Sequence, residues 1–504
     1  MRKLSELLKA IEPLQVIGST DVDVHAIQFD SRKVEKGDLF VAQAGTAVDG
    51  HTFISSCIDR GAAVIILDNS QYLVGLKQDV TYVLVKNSEE ALGRLAHQWF
   101  GRPSEKLTLV GVTGTNGKTT IATLLYEMVR ALGHKAGLIS TVVYYVDGEA
   151  FPSTHTTPDA LALNALLSKM VEAGCDYAFM EVSSHSIAQE RIAGLQFAGA
   201  MFTNLTRDHI DYHKTFDNYR DTKKRLFDGL RKEAFAVTNA DDKNGLVMTQ
   251  NTRAKVFTYS VQTMADHRGK ILEEGFDGML LSIDNQEVFV PLVGRFNVSN
   301  LLCIYSAALC LGFDKMEVLR ILSALKPVNG RFETIHSPQG WTAIIDYAHT
   351  PDAVENVIST INEILNSQNQ HNSEALNGEA SNARSAQTAK LITVVGCGGN
   401  RDKGKRPMMA QIAKRGSGQL ILTSDNPRDE EPRDILNDMI AGLTEDELKS
   451  TLVIEDRAAA IQTACTLAQK GDVILVAGKG HEDYQIIKGV KHHFDDHEQV
   501  RKYI

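Results

Sequence analysis

The chain has 504 residues, 43% hydrophobic and 23% charged, enough for about three domains with separate cores. Its net charge of −10 excludes the basic field that would hold a nucleic acid or an anionic membrane, so an anionic substrate must be met by local Lys, Arg and backbone N–H groups. No run approaches the ~18 apolar residues of a membrane span. The opening MRKLSELLKAI lacks a signal peptide's apolar core, and six cysteines without a CxxC pair read as reduced thiols, so a cytoplasmic protein is expected.

Residues 1–101 read as a mixed α/β domain: short strands and turns, then the helical pattern SEEALGRLAHQWF. That helix stops at Gly101-Arg102-Pro103, because proline disfavours helix in the residue before it. Residues 102–330 alternate strands and helices: LTLVGV (107–112), a helix from about Lys118, DYAFMEV (176–182), AGAMFTN (198–204), AFAVTN (234–239), then a helix-rich stretch from Asn297 to Leu325. This is the rhythm of a doubly wound, mostly parallel sheet. Residues 331–504 repeat it on a smaller, Rossmann-like scale through TAIID (342–346), LITVVG (391–396), GQLILTS (418–424) and GDVILVAG (471–478). The stretch 366–390, rich in Asn, Ser, Gln and Ala, reads as a disordered surface loop, since it cannot bury enough surface to offset its ordering entropy. The fold class expected is α/β in three domains.

GVTGTNGKTT (111–120) lies between a strand and a helix, the context of a P-loop. Gly114 and Gly117 allow the tight turn that converges N–H groups, including those of Thr115, Asn116 and Thr120, on phosphate oxygens. Lys118 reaches the β/γ-phosphates, the Thr119 hydroxyl meets Mg²⁺, and the helix N-terminus adds positive partial charge. The strict Walker spacing would place glycine at 112, where this chain has valine. MEVSSH (180–185) ends a strand at the sheet edge where open α/β folds bind ligands, and a carboxylate there can complete a Mg²⁺ site.

TGTNGKTT resembles the ATP-binding segment of the Mur ligases and their folylpolyglutamate synthetase relatives, and the resemblance extends over nearly the whole chain. It implies that Glu181 and His209, the latter in NLTRDHIDYH (204–213), stand at two Mg²⁺ ions. In YRDTKKRLF (219–227) it implies a carbamylated Lys223; chemically, CO₂ adds to a deprotonated amine, which requires a lysine of lowered pKa. GRFNVSN (294–300) matches the adenine segment with Asn297 and Asn300, NGRFE (329–333) the hinge with Arg331, and IDYAHTPDA (345–353) the nucleotide site with Asp346, Tyr347 and His349. FDSRKVEKGDLFVAQAG (29–45) resembles the uridine-nucleotide segment, with Ser31 and Arg32 on the UDP part and Asp49-Gly50-His51 nearby. Thr156, Thr157, Ser183, Gln189, Arg191 and Lys223 match positions along the muramoyl-peptide.

The acceptor is signalled last. GCGGNRDKGKRP (396–407) is close to a family form with Asp where this chain has Asn400, and Arg401 is carried over as a carboxylate contact. TSDNPRDEEP (423–432) carries Asp425-Asn426-Pro427-Arg428, the form associated with meso-diaminopimelate, and GKGHEDYQ (478–485) supplies Gly478 and Glu482. The resemblance therefore implies a monomeric, ATP-dependent acid–amino-acid ligase adding meso-diaminopimelate to UDP-MurNAc-L-Ala-D-Glu through an acyl phosphate, in peptidoglycan precursor synthesis. The same reaction with L-lysine is the close alternative, and a folylpolyglutamate synthetase-like ligase is the more remote one. A P-loop switch protein would hydrolyse ATP without an amine and leave DNPR and GKGHE unexplained.

Overall fold

Alternating apolar residues set the first layer. Leu39, Val41, Val64, Ile66 and Val83 face a core closed by Leu92, Leu95 and Ala96 of the helix Ser88–Trp99, while Phe40, Ile65 and Tyr82 point to the opposite core. These strands form a five-stranded sheet ordered Gln15–Ile17, Thr81–Leu84, Val64–Leu67, Leu39–Val41, Ile27–Gln28, parallel except at the Gln15–Ile17 edge. The computed structural model describes residues 1–45, 48–377 and 389–504, excluding the side chains of 371–377.

An eleven-stranded sheet follows. An interior strand, Thr108–Thr113, is flanked in parallel by Tyr177–Glu181 and Gly199–Phe202, with Glu181 paired to Val112 and Phe202 to Thr113. Three strands thus end together at one edge, the position from which open α/β sheets present ligand-binding groups. Val110 and Val112 pack under the helices Lys118–Ala131 and Arg295–Cys310, and Leu109, Met180 and Val182 fill the other face. Two antiparallel additions lie outside the βα rhythm expected from sequence: the hairpin Val143–Val146/Glu149–Pro152 and the meander His267–Gly275, Gly278–Ile283, Gln286–Val290. The first meander strand, HRGKILEEG, is largely polar, so it lacks the apolar run by which buried parallel strands are read.

The last sheet has six strands, ordered Glu333–His336, Thr342–Asp346, Val473–Ala477, Leu391–Val395, Gln419–Leu422, Thr451–Val453, parallel but for the first. One expectation is corrected here. The helix Pro351–Asn377 runs well into the stretch 366–390 that composition marks as a loop. Val354, Val357, Ile358, Ile361, Ile364 and Leu365 form a buried stripe at helical spacing, and a helix nucleated on such a stripe propagates beyond it one residue at a time. The Asn369 side chain donates to Ala389 O and accepts from Ala389 N, both at 3.3 Å, which brings the flanks of the segment together. Residues 378–388 lie outside the described residues. Among those described, no helix is long and apolar enough to cross a membrane, and all six cysteines are free.

Candidate active site

The strand Thr108–Thr113 turns at Gly114 (φ 151°) and Gly117 (φ 87°) into the helix beginning at Lys118. A Cβ on Gly114 would lie 1.9 Å from Thr203 Oγ1, and one on Gly117 2.4 Å from Asn300 Oδ1, so both glycines are required by close approach. Val112, where the strict spacing asks for glycine, is a fully buried strand residue, and the turn starts two residues later. The neighbouring loop braces the turn: Thr115 N donates to Asn204 O (2.8 Å), Asn116 N to Asn204 Oδ1 (2.9 Å), and Thr203 Oγ1 to Asn116 O (2.6 Å). Lys118 Nζ curls over it onto Gly114 O (2.9 Å) and Thr115 O (2.8 Å). Burial lowers the pKa of that amine, against the pull of Glu181 and Asp208.

Glu181 ends the adjacent strand, 1% exposed. Its Oε1 accepts from Thr141 N (2.7 Å), and Oε2 is buried without a hydrogen-bond partner among the described residues. On the helix Phe216–Asp228, capped by Thr215, the three basic residues of KKR separate. Arg225 pairs with Glu190, Lys224 with Asp228 at 2.5 Å, and Lys223 turns inward, 1% exposed. Lys223 Nζ donates to Gly114 O (2.8 Å) and Thr113 Oγ1 (3.3 Å), above the Tyr219 ring at 4.9 Å. Burial, then the charge of Lys118, drive its pKa well below that of an exposed lysine. His209 (φ 55°) meets the His185 ring edge-on at 4.7 Å, and burial keeps it towards the neutral imidazole. Burial also pushes His185 and His213 down to about 4. Among the described residues no three His, Cys, Asp or Glu side chains gather as a metal cluster.

The third domain reaches this loop directly. Asn116 Nδ2 donates to Asp352 Oδ2 (2.8 Å) and Arg331 Nη2 to Thr119 Oγ1 (3.2 Å), with the Arg331 guanidinium 4.2 Å over the Tyr347 ring. Asp346 is 8% exposed and accepts from Phe332 N and Ala348 N, both at 2.7 Å, so it braces the hinge backbone. Burial raises its pKa against the opposing charge of Arg331. His349 Nδ1 bonds Tyr347 O (2.8 Å), and burial followed by Lys405 pushes its pKa down to about 4. Asn297 donates to Val293 O (2.8 Å) and Asn300 to Asn297 Oδ1 (3.1 Å), both buried where the helix Arg295–Cys310 packs against Gly117.

Five residues assigned along the peptide form one network. Thr157 Oγ1 donates to Glu181 O (2.8 Å) and accepts from Ser183 N (3.2 Å); Arg191 donates to Thr157 O (2.7 Å) and through Nη2 to Gln189 Oε1 (2.6 Å). Thr156 joins through Thr141 at 3.0 Å. Ser31 opens the turn Ser31–Lys33 behind Asp30, which Arg32 holds down to about 2. His51 is 2% exposed between Asp49 (2.7 Å) and Asp68 (3.0 Å), a scaffold position.

In the acceptor loop, Asp425 is 7% exposed, and its Oδ1 has no hydrogen-bond partner among the described residues. A Cβ on Gly478 (φ 119°) would lie 3.5 Å from Asp425 Oδ2, and one on Gly399 would strike Pro427 O at 1.9 Å. Arg428 (φ 55°) anchors Nη1 on Gly399 O (2.7 Å), and its Nε and Nη2 make no hydrogen bond among the described residues. Burial and then Asp425 raise the pKa of Glu482, against Lys479 and Arg428. Arg401 is exposed. Asn400 (φ 52°) accepts from Asp429 N at 3.1 Å and donates its own N–H to Glu430 at 2.5 Å. It therefore faces the 429–430 turn, where asparagine tolerates the left-handed backbone without adding a third acid.

Several neighbours escape the motif reading. Asp208, beside His209, is surrounded by His209, His349, Lys405 and Lys118; burial alone would raise its carboxyl, and these groups hold it below the usual range. Its signal was its place within the same motif. Lys479 is fully buried and donates to Tyr484 O, and the Arg457–Asp496 pair is fully buried at 2.7 Å. Nothing local distinguishes those residues from solvated charges.

Three family models match the chain: the Mur ligase family catalytic domain over residues 23–100, the Mur ligase middle domain over 112–308, and the Mur ligase glutamate ligase domain over 330–370 and 369–480. A UDP-N-acetylmuramoyl-L-alanyl-D-glutamate–2,6-diaminopimelate ligase of Parabacteroides distasonis is 59% identical over 99% of this chain and 98% of its own. A ligase of the same name from Clostridium tetani is 39% identical over 100% and 99%. A solved structure of a ligase so named superposes with a TM-score of 0.66 at 32% identity, covering 99% of this chain and 98% of its own. A Mycobacterium tuberculosis folylpolyglutamate synthase shares the fold alone, with a TM-score of 0.60 at 15% identity over 78% of this chain and 93% of its own.

Proposed function

The chain belongs to the Mur ligase family, and from that membership we propose that it joins meso-diaminopimelate to UDP-MurNAc-L-Ala-D-Glu at the expense of ATP. The γ-phosphoryl group of ATP passes to the D-glutamyl carboxylate, leaving ADP and an acyl phosphate. The amine of the diamino acid then attacks the acyl carbon, forms the amide and releases phosphate. The observation that carries this reading is Arg428: one guanidinium arm is anchored on Gly399 O and the other edge makes no hydrogen bond among the described residues, beside the acids Asp425 and Glu482. A second carboxylate fits such a fork with two parallel bonds, and the acids suit the ammonium next to it. That carboxylate is what separates diaminopimelate from lysine.

The P-loop lysine, the Thr119 hydroxyl and Arg331 serve the phosphates, and Thr156, Thr157, Ser183, Gln189 and Arg191 hold the peptide carboxylate in line, since phosphoryl transfer is chiefly positioning and charge compensation. Mg²⁺ wants oxygen donors and keeps water and phosphate ligands, and the unpartnered Glu181 Oε2 together with Thr119 suits it, with His209 alongside. A Mg²⁺ held by these residues would supply positive charge against the transferring phosphoryl group. Lys223 suits carbamylation because its buried amine faces Lys118, next to which an anion is favoured over a second cation. Phosphate release tests the reading: with ATP and the UDP-dipeptide, release should require meso-diaminopimelate, and equal release without any amine would defeat it.

A further inference from the structure

We propose that the hairpin Tyr484–Ile487/Val490–His493 is a clamp that fixes the acceptor loop, with Gln485 as its positioning residue; the proposal rests on the acceptor reading above. The hairpin turns through Lys488 (φ 50°) and Gly489 (φ 78°), the two positive-φ residues of a type I′ turn. Its outer strand, Val490–His493, is exposed along its whole length. An isolated two-stranded hairpin is marginal in water, so its order must come from the inner strand.

On the side away from its outer strand, that inner strand hydrogen-bonds the acceptor loop. Gln485 Nε2 donates to Asp425 O (2.6 Å), Ile486 N to Asn426 Oδ1 (2.8 Å), Arg428 N to Ile486 O (2.8 Å) and Lys488 N to Arg428 O (2.7 Å). Arg428 and Ile487 form a parallel bridge. Each of Asp425, Asn426 and Arg428 is thus tied to the hairpin by at least one bond. Arg428 needs the tie most. It holds a left-handed backbone (φ 55°) that a residue with a Cβ keeps only when its surroundings over-determine it, and two hairpin bonds fix its N–H and its carbonyl. Glu482 enters the same hairpin two residues earlier, so one element sets the spacing between the arginine fork and the acid opposite it.

Gln485 isolates the clamp, because among these four bonds it alone contributes a hairpin side chain. Gln485→Glu keeps the shape and removes the donor, and Gln485→Ala removes it without adding charge. Both should raise the KM for meso-diaminopimelate about tenfold, equivalent to about 1.4 kcal/mol. The KM values for ATP and the UDP-dipeptide, and the melting temperature, should stay put. In the wild type, meso-diaminopimelate should slow hydrogen exchange at the Ile486 and Lys488 amides, and do so less in the variants. An unchanged acceptor KM in both variants overturns the clamp, as does a parallel rise in all three KM values. A wild-type enzyme that makes no diaminopimelate adduct overturns the acceptor reading instead.

Discussion

Replacing Lys223 with Met separates what its buried amine does for chemistry from what it does to the fold. Methionine keeps an apolar stem as far as Cε and removes two hydrogen bonds, to Gly114 O and Thr113 Oγ1, worth about 1 kcal/mol each. Gly114 O keeps Lys118 as a partner, so no carbonyl is orphaned. Against that loss, a fully buried ammonium facing Lys118 carries an effective desolvation penalty of several kcal/mol. In CO₂-depleted buffer near neutrality the variant should therefore be more stable by about 1 kcal/mol, or about 2–4 °C in the melting of a domain of ~200 residues. The folded-state pKa of Lys223 lies below that of an exposed lysine, so the unfolded chain binds the extra proton and wild-type stability climbs as pH rises towards 10.5. The variant's advantage should accordingly be greatest at low pH within the stable range and fade as 10.5 is approached. Bicarbonate should raise the wild-type melting temperature, because an anion replaces a cation beside Lys118, and should leave the variant unmoved. Ligation by the variant should fall about a hundredfold to a thousandfold, the scale seen when a group acting on transition-state charge is lost. Scanning calorimetry over a pH series reads the first two effects. Identical pH profiles for the two proteins, with equal responses to bicarbonate, would refute the reasoning.

Lys118→Ala should abolish ligation and leave the melting temperature near wild type, and a folded mutant with normal turnover would remove the P-loop assignment. Arg428→Ala should erase the preference for meso-diaminopimelate over lysine while phosphate release with lysine persists; a retained preference in amine competition would move the selecting group elsewhere. Replacing residues 372–387 by a short Gly-Ser linker should leave kcat within about threefold, since Asn369 and Ala389 already meet across the segment and loop length costs little. A collapse of activity in that protein would give the segment a function.

The α/β class was legible because the strands at the site are continuous apolar runs, and the phosphate turn because Gly114, Gly117 and Lys118 are required at fixed offsets by sterics. Composition failed at 366–377, where helix depends on the anchoring stripe before it rather than on the residues themselves. The antiparallel meander is not legible from sequence because its two flanking strands, His267–Gly275 and Gln286–Val290, are half solvated. Lys223 shows the limit of local reading most clearly: KKR reads as a solvated face, and only the packing of the helix Phe216–Asp228 against the P-loop decides which lysine turns inward. The role of Gln485 is likewise invisible from spacing, because its partner is a backbone carbonyl 60 residues away.

The most direct test of the central claim is a competition: wild-type enzyme, ATP and UDP-MurNAc-L-Ala-D-Glu with equal concentrations of meso-diaminopimelate and L-lysine, products separated by mass. The diaminopimelate adduct should exceed the lysine adduct by at least about a hundredfold, because lysine leaves the Arg428 fork without its carboxylate. Equal amounts of the two adducts would contradict the account.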